Sequence, residues 1–393
     1  MKVILATESF LPNISGVAVA TENLANNLTA AGHEVYVFCP SRSFESYIDK
    51  SFKKYTVVRL KSVINPFRQG FRITAASNYE ITKKVEDIAP DLIHLQDPAT
   101  IGTVLRDVGK KLKIPVVITN HFSLEYALSY VRFLGFMVPL AKSALVKYLV
   151  NFYDKCDYVV TPTETFAKQV RSWGVTAPVK AVSNGILFDR FQKKFNREDI
   201  EQFREKYHLP DNPTVLYLGR VDKDKSIDVL VNAAKIVISK INAHFVIAGS
   251  GDEIDNIIKM TEDFGIRNCF TFLGRIDHES DDFLQIYKSS TLFAIPSTIE
   301  TQSLVTLEAM SCGLPIVAAN ANALPELVKP KLNGYLFAPA NDKEMANDII
   351  RIIKDKKLAQ KMGHNSVHIA SDHEMSLAFG HMLDLYTEAI AKK

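Results

Sequence analysis

The stretch Pro296–Ala319 reads PSTIETQSLVTLEAMSCGLPIVAA and joins a loop, a helix and a strand in one unit. It follows the apolar run Leu292–Ile295 and ends on a second apolar run, Pro315–Ala319, and both runs have the length of buried strands. Two such strands joined by a helix are the repeating unit of a parallel sheet. Glu300 lies in the predicted loop, and Glu308 lies in the predicted helix.

The helix in this stretch is predicted over about Ser303–Cys312, because a glycine at 313 and a proline at 315 are typical of a helix end. Its first-turn N–H groups are available to an anion. Glu300 stands in front of that helix end and Glu308 behind it. This order predicts an elongated ligand with a phosphate in the middle and hydroxyl groups at both ends.

Apolar runs alternate with amphipathic segments along the whole chain, which is the β-α-β pattern of parallel sheets. In the first half, strands are predicted at Val3–Ala6, Glu34–Phe38, Leu92–Leu95, Val116–Thr119 and Tyr158–Pro162, and helices at Val19–Ala31 and Tyr79–Ile88. In the second half, further strands are predicted at Val215–Leu218, His244–Ala248 and Thr271–Leu273, and a helix at Ile227–Ile238.

The length of 393 residues predicts two domains. A polar stretch near 188–213 separates the two halves of the pattern. We expect an α/β protein with two doubly wound, Rossmann-like domains over 1–187 and 188–374, with a helix at 375–393 packing back on the first. Ligands of such sheets bind at the carboxyl ends of the strands, so loops of both domains should meet at a cleft.

Composition excludes several classes of protein. The hydrophobic share of 47% and the charged share of 23% are those of a globular protein, and a net charge of +3 does not indicate nucleic-acid binding. The four cysteines are scattered without CxxC spacing, so we expect no disulfide framework, no metal site and a cytoplasmic setting. The start, MKVILATESF, is typical of a first strand rather than a signal peptide. No apolar run reaches the ~20 residues that span a bilayer.

Two segments have properties that fit a membrane surface. Arg42–Lys84 contains ten Lys or Arg and three Asp or Glu, so it could meet anionic lipids or form an ordinary solvated face. Tyr126–Tyr153 is apolar and aromatic with interspersed cations, so it could lie in a membrane interface or form a buried helix pair. The sequence leaves both alternatives open.

Glycines and cations follow two strands of the second half. Gly219-Arg220 ends the strand VLYLG and Lys225 follows, which fits a phosphate clamp or, alternatively, an ordinary turn with exposed cations. Gly249-Ser250-Gly251 resembles the start of a dinucleotide fingerprint, but Ile254 replaces the third glycine. A nicotinamide site is therefore disfavoured, and a tight turn beside a nucleotide is favoured.

Two further features lie at strand ends of the first half. His121 follows the strand Val116–Thr119, where it could donate a hydrogen bond to a substrate hydroxyl or support developing charge. A lone histidine can equally be structural. Gly16, in PNISGVAVA, would let the backbone approach a ligand at a helix start, whereas Ser15 could simply cap that helix.

Taken in order, these motifs resemble the retaining GT-B glycosyltransferases of family 4. The most specific marker is Glu300 and Glu308 followed by AMSCGLPIVAA, and Gly219, Arg220 and Lys225 support it. The resemblance implies a donor site made by the following residues: Gly16, Gly219, Gly251, Arg275, Ile276, Thr301, Gln302, Ser303, Leu304 and Glu308.

The resemblance also implies roles. Arg220 and Lys225 would hold the diphosphate of a nucleotide-sugar, Glu300 the sugar hydroxyls and Glu308 the ribose. His121 would contact the sugar near its reacting carbon. Amides at 303 and 304 would face the distal phosphate, and the segment 274–276 would lie against the base. No metal ion and no cofactor are implied, because the nucleotide-sugar is itself the donor substrate.

Two positions depart from the family pattern. An aromatic residue and a glycine usually follow the first glutamate, where this chain has Gln302 and Ser303. This run is similar to those of glycolipid-forming members. Ser15 and Gly16 stand where two glycines are common.

The resulting hypothesis is a metal-independent, retaining hexosyltransferase that uses a donor of the UDP-glucose or GDP-mannose type. The expected acceptor is a membrane lipid such as diacylglycerol or phosphatidylinositol, with Arg59, Lys61 and Arg68 as candidate head-group contacts. The enzyme would be cytoplasmic and peripheral on the inner face of the cell membrane. The alternatives are transfer to a soluble sugar or polysaccharide precursor, and a nucleotide-sugar-binding protein without activity. The sugar, the base and the oligomeric state stay open.

Overall fold

The computed structural model describes residues 1–13, 15–65, 72–121, 124 and 137–393. The chain divides into two compact units, Met1–Asn184 with Ala378–Lys393, and Gly185–Leu377. The domain bounds expected from the sequence, 187 and 374, lie three residues from these. Each unit is described by itself below.

The first unit is built around one large sheet. The strands of this unit are β1 (Lys2–Ala6), β2 (Glu34–Pro40), β3 (Tyr47–Asp49), β4 (Thr56–Leu60), β5 (Ser62–Ile64), β6 (Arg72–Thr74), β7 (Leu92–Leu95), β8 (Val116–Thr119), β9 (Tyr158–Thr161) and β10 (Val179–Ala181). Eight of them form the large sheet, and β5 and β6 pair with each other in a separate antiparallel sheet. Its described helices are Gly16–Ala30, Asn78–Ile88, Thr100–Leu112, Val138–Tyr153, Glu164–Ser172 and Met375–Ala391.

The strand order of this sheet is β10-β9-β8-β7-β1-β2-β4-β3, and only β3 runs antiparallel to its neighbour. From β1 the chain builds outward first through β2 and β4 and then, on the other side, through β7, β8, β9 and β10. The order therefore reverses between β1 and β7, which is where doubly wound sheets bind ligands. The loops that follow these strands, and the loop after β8 that carries His121, lie along the same edge.

The C-terminal helix Met375–Ala391 packs on one face of the first sheet. Met382, Leu385 and Tyr386 are buried with Val3 and Val117 in one hydrophobic cluster. The Tyr386 hydroxyl is also hydrogen-bonded to Nδ1 of His94 at 2.5 Å. The helix is therefore held by apolar packing and by one buried polar contact.

The second unit contains a six-stranded sheet. Its strands are β11 (Thr214–Leu218), β12 (His244–Ala248), β13 (Phe270–Gly274), β14 (Leu292–Ile295), β15 (Ile316–Ala319) and β16 (Gly334–Phe337). Its helices are Phe188–Phe191, Arg197–Lys206, Ile227–Ile238, Ile254–Asp263, Asp281–Lys288, Leu304–Ser311, Leu324–Leu327, Asp342–Lys354 and Lys356–Ser371, with 3₁₀ turns at Lys223–Lys225 and Arg267–Cys269.

All pairings in this sheet are parallel, and the strand order is β13-β12-β11-β14-β15-β16. The order reverses between β11 and β14. The loop after β11 begins at Gly219, and the loop after β14 carries Glu300, so the reversal places these two loops side by side. The predicted α/β class with two doubly wound sheets is confirmed.

Candidate functional site

An ion pair joins the two loops at the reversal point of the second sheet. Nζ of Lys225 lies 2.8 Å from Oε1 of Glu300 and donates a hydrogen bond to the Ile299 carbonyl at 3.3 Å. Only 14% of the Lys225 side chain and 12% of the Glu300 side chain are exposed. The sequence places these residues at two different parts of a ligand, and the structure brings their charged ends into contact.

Arg220 lies on the same loop but is half-exposed and bound to carboxylates. Its guanidinium contacts Asp222 and lies 3.2 Å from Asp224, which in turn lies 3.4 Å from Nζ of Lys225. The two predicted clamp cations therefore share an acidic neighbour that the sequence reasoning missed. The signal was the alternation of Asp and Lys in VDKDK. An incoming phosphate would compete with these carboxylates for the two cations.

Gly249 and Gly251, in the loop after β12, lie too close to neighbouring backbone for any side chain. At Gly249 the backbone φ is +141°, and a Cβ would lie 1.8 Å from the carbonyl oxygen of Gly219. At Gly251 a Cβ would lie 2.4 Å from the Val221 carbonyl oxygen. The loops after β11 and β12 therefore pack backbone against backbone, which accounts for Gly251 without a ligand.

Backbone hydrogen bonds connect three loops at this edge of the sheet. The amide of Val221 donates to Ser250, and the amide of Gly249 donates to Gly274 at 2.6 Å. Arg275 and Ile276, the predicted base contacts, come directly after Gly274, and Arg275 is exposed. Displacing one of these loops would therefore displace its neighbours.

The helix after the Glu300 loop spans Leu304–Ser311, one residue shorter at each end than predicted. Ser303 has left-handed backbone angles, φ 68° and ψ 76°, so it cannot belong to the helix, and its side chain makes no capping hydrogen bond. Its hydroxyl instead lies 2.7 Å from that of Thr306. Because helix geometry leaves the first-turn N–H groups without partners inside the helix, this end can receive an anion.

The residues just before this helix are mostly enclosed. Gln302 and Ser303 are buried, Thr301 is half-buried and Leu304 is exposed. The two positions that depart from the family pattern thus lie inside the protein rather than on its surface. Their side chains can shape the wall of a site beside Glu300.

Glu308 is buried, and its carboxylate makes two contacts that the sequence did not predict. Its Oε2 accepts a hydrogen bond from the Tyr287 hydroxyl at 2.8 Å, and its Oε1 lies 3.2 Å from Nε2 of His278. The hydrogen bond to Glu308 raises the pKa of His278 above its ordinary value of 6.5. These partners come from the helix Asp281–Lys288 and the loop before it, so sequence spacing around Glu308 could not indicate them.

Replacing His278 with Gln should change how stability depends on pH. The folded state raises the pKa of His278, so its contribution is present below about pH 6.5 and is lost as the pH rises through the folded value. Glu308, Glu279 and Arg190 are the charged groups that contact the ring. We expect the wild type to exceed His278→Gln in free energy of unfolding near pH 6, and the difference to shrink towards about pH 9.

Chemical denaturation at the two pH values measures this effect. His364→Gln is a matched control, because His364 is exposed on the helix Lys356–Ser371 of the same unit. An equal destabilisation by His278→Gln at both pH values would contradict the predicted ion pair with Glu308.

In the first unit, His121 lies directly after β8 and is largely enclosed. Its Nε2 donates to Oε1 of Gln96 at 2.9 Å, since that oxygen can only accept. Burial lowers the pKa of His121 to about 4, so the ring is neutral at pH 7. In this tautomer Nδ1 is an acceptor. The expectation that His121 donates a hydrogen bond to a hydroxyl therefore requires the contact with Gln96 to change.

The loop after β1 contains both features that the sequence left open. The Ser15 side chain caps the helix Gly16–Ala30 by accepting from the Ala18 amide at 3.1 Å. Gly16 is the first helical residue, and a Cβ there would meet no atom of the described residues within 4 Å. Packing among the described residues does not require a glycine at this position. The prediction that Gly16 lets a ligand approach the backbone stays a prediction.

The three residues predicted to contact a lipid head group, Arg59, Lys61 and Arg68, differ in what the structure shows of them. Arg59 is buried, forms an ion pair with Asp49 at 3.1 Å and donates to the Leu11 carbonyl at 2.6 Å, so it holds a loop in place and is not an exposed contact. Lys61 is one-third exposed, 4.0 Å from Glu80. Arg68 lies outside the described residues. Charge counting could not separate the buried arginine from the exposed lysine.

Within the described part of the chain, no group of three or more His, Cys, Asp or Glu side chains could hold a metal ion. The four cysteines are all free thiols.

Comparison with solved structures identifies the fold. The structure of Anabaena Alr3699/HepE in complex with UDP matches with a TM-score of 0.77, covering 99% of this chain and 100% of that chain at 20% identity. A glycosyltransferase from Rickettsia africae matches with a TM-score of 0.80 at 16% identity, covering 100% of this chain and 99% of that chain. The fold is that of the GT-B glycosyltransferases.

Sequence comparison identifies the family. The model of "Glycosyltransferase Family 4" matches residues 14–190, and that of "Glycosyl transferases group 1" matches residues 199–368. The chain belongs to glycosyltransferase family 4. It is 28% identical to the alpha-monoglucosyldiacylglycerol synthase of Streptococcus pneumoniae, over 87% of this chain and 76% of that protein. It is 26% identical to the enzyme of the same name from Acholeplasma laidlawii, over 93% of this chain and 92% of that protein.

Proposed function

We propose that this protein is a retaining hexosyltransferase that moves a sugar from a donor of the UDP-glucose or GDP-mannose type to a membrane lipid such as diacylglycerol or phosphatidylinositol. The observation that carries the proposal is the Lys225–Glu300 pair, which lies at the reversal point of the second sheet. The helix Leu304–Ser311 begins four residues after Glu300. A cation, a carboxylate and a helix N-terminus suit the diphosphate and the hydroxyl groups of a nucleotide-sugar.

Charge development during transfer explains these groups. Breaking the anomeric bond places negative charge on the nucleoside diphosphate and positive charge on the sugar ring. Lys225, Arg220 and the helix start stabilise the leaving diphosphate, which provides its charge compensation without a metal ion. Glu300, released from Lys225 by the phosphate, accepts hydrogen bonds from sugar hydroxyls. Glu308 binds the ribose through lone pairs that Tyr287 and His278 leave available.

The geometry of Glu308 argues against a glycosidase. Glycosidases need two carboxyl groups that flank one bond. Glu300 is paired with Lys225, whereas Glu308 is buried against Tyr287 and His278. Glu308 is therefore not placed as the partner of Glu300 in such a pair, and front-face attack by the acceptor, assisted by the leaving phosphate, is the proposed route to retention.

A lipid acceptor and a peripheral position at the membrane are supported by exposed apolar side chains among cations. The described part of Arg42–Lys84 exposes Phe44, Ile48, Ile64 and Tyr79 by 59% or more. The helix Val138–Tyr153 exposes Leu140 and Tyr148 near Lys142 and Lys147. Its buried residues are Leu149, Phe152 and Tyr153, near its C-terminal end. Such surfaces suit a lipid interface. None of the described helices is long and apolar enough to cross a bilayer.

A donor screen tests the proposed function. The full chain is heated with UDP-, GDP- and ADP-linked glucose and with GDP-mannose, and one nucleotide should raise the melting temperature, because a ligand that binds only the folded state stabilises it. Vesicles containing diacylglycerol or phosphatidylinositol then serve as acceptors, and proton NMR of the product should show the anomeric configuration of the donor. An inverted product would disprove retention. The absence of both a thermal shift and sugar transfer would disprove the transferase itself.

A further inference from the structure

A cavity lies at the carboxyl edge of the first sheet, over the ends of β1, β2 and β4. Its volume is about 470 Å³. The side chains used in the argument below are Glu8, Phe10, Arg42, Arg59, Ile64 and Arg72, all of which line it. We call it the arginine cavity. Its position at the ligand-binding edge of a doubly wound sheet makes it a candidate binding site.

Two of the three arginines bring uncompensated charge to this cavity. Arg59 is neutralised by Asp49 at 3.1 Å. Arg42 is exposed and has no hydrogen bond or ion pair with any described residue. Arg72 donates to the hydroxyl of Ser62 at 2.6 Å and to its carbonyl at 2.8 Å, and it meets no carboxylate among the described residues.

The acid on the cavity wall compensates little of that charge. Oε1 of Glu8 accepts from the Ile101 amide at 2.9 Å, and Oε2 accepts from the amide and hydroxyl of Thr74. Burial, together with the nearby Asp97, raises the pKa of Glu8 to about 7. Near neutral pH its carboxyl is therefore protonated for much of the time, and the cavity keeps a positive balance.

We propose that the arginine cavity binds a phosphate group carried by the acceptor, with Arg42 and Arg72 as its cationic contacts. The inference rests on the proposed function and narrows it, because it favours a phosphate ester over neutral diacylglycerol as the acceptor. A guanidinium offers a planar fork of donors that matches phosphate oxygens. Arg72 is already oriented by Ser62, so little side-chain freedom is lost when an anion binds.

Apolar groups beside the cations fit the carbon-rich part of such an acceptor. Ile64 is 71% exposed although it lines the cavity, and Phe10 is buried in the wall. A phosphate ester on a lipid and a soluble sugar phosphate share the chemistry that Arg42 and Arg72 recognise. The exposed Ile64 favours the lipid, because a soluble sugar phosphate has no acyl chain to cover it.

Calorimetric titration of the full chain tests the site without requiring activity. The probes are sn-glycerol 3-phosphate and inositol 1-phosphate, each compared with its neutral parent, glycerol or inositol. We expect saturable binding of the phosphate esters only. Arg42→Ala should weaken it about 10- to 100-fold, as expected for loss of a hydrogen-bonded charge. Since Arg42 is exposed and makes no hydrogen bond or ion pair with any described residue, this variant should fold normally.

Arg72→Gln should have a similar effect, and Lys53→Ala is the matched control, because Lys53 is an exposed cation of the same unit that does not line the cavity. Equal binding of an ester and its neutral parent would overturn the proposal. Binding that is unchanged in Arg42→Ala, or weakened as much in Lys53→Ala, would overturn it too.

Vesicles separate the two sources of phosphate. Phosphatidylcholine vesicles with added phosphatidylinositol or diacylglycerol are sedimented with each variant, and a lipid source predicts retention that depends on phosphatidylinositol and on Arg42. If the soluble esters fail to bind and vesicle retention is insensitive to Arg42→Ala, the site does not exist. The donor thermal shift is measured on the same samples, so failure of the site with the shift intact leaves the proposed function standing.

Discussion

Replacing Lys225 with Ala is expected to lower kcat/KM for sugar transfer by about 100- to 1,000-fold, the usual cost of removing one donor to a developing oxyanion. Nζ of Lys225 is largely buried and lies 2.8 Å from Glu300. The substitution removes a cation from the leaving diphosphate and also leaves a buried carboxylate without its charged partner. Steady-state transfer with the donor identified by thermal shift measures the effect.

Lys223→Ala is the matched control for this variant. Lys223 belongs to the same 3₁₀ turn, Lys223–Lys225, but its side chain is exposed. It should keep transfer within about twofold of the wild type, because exposed cations contribute little. Turnover of Lys225→Ala at the wild-type rate, or equal losses in the two lysine variants, would contradict the role of Lys225.

A double-mutant cycle tests whether Lys225 and Glu300 act together. Residues in contact should show non-additive effects. Glu300→Gln alone should lower kcat/KM, because it weakens the hydrogen bonds to the sugar hydroxyls. The fold-reduction in kcat/KM of the double variant should be smaller than the product of the two single-variant reductions. Strict additivity would mean that the 2.8 Å contact has no functional consequence.

The strands that could be predicted from sequence are those in which a run of apolar residues dominates. The run Leu292–Ile295 and the helix Ile227–Ile238 have the predicted bounds. By contrast, β4 was missed because Arg59 interrupts the run TVVRL, and this arginine is buried by its contact with Asp49. The strand β16 begins at Gly334, where a Cβ would lie 1.9 Å from the Ile316 carbonyl oxygen. A glycine required by a neighbouring strand cannot be distinguished in the sequence from a turn glycine.

For the site, sequence predicted which residues follow strands but not which of them meet. Lys225 and Glu300 are 75 positions apart. They touch because β11 pairs directly with β14, and strand order is a property of the assembled sheet. The contacts of Glu308 with Tyr287 and His278 likewise depend on how a separate helix packs on the sheet. Local patterns contain no information about these pairings.

Gly249→Ala is expected to lower the free energy of unfolding by about 3–5 kcal/mol, because it combines overpacking with backbone strain. The new Cβ would lie 1.8 Å from the Gly219 carbonyl oxygen, at a φ of +141° that L residues rarely adopt. The clash involves backbone, so no side-chain rotation relieves it. Any relief must move the loop that begins at Gly219, and this loop carries Arg220 and Lys225.

Gly265→Ala separates the two contributions. Gly265 also has a positive φ, +68°, but a Cβ there would meet no described atom within 4 Å. It should therefore cost only about 1 kcal/mol from backbone strain. Urea unfolding of both variants, with donor thermal shifts at a temperature where each is folded, measures stability and binding separately. We expect Gly249→Ala to lose donor binding even where it is folded, and Gly265→Ala to keep it. Equal destabilisation by the two substitutions would mean that the loops after β11 and β12 do not pack backbone against backbone, and that Lys225 is positioned by other contacts.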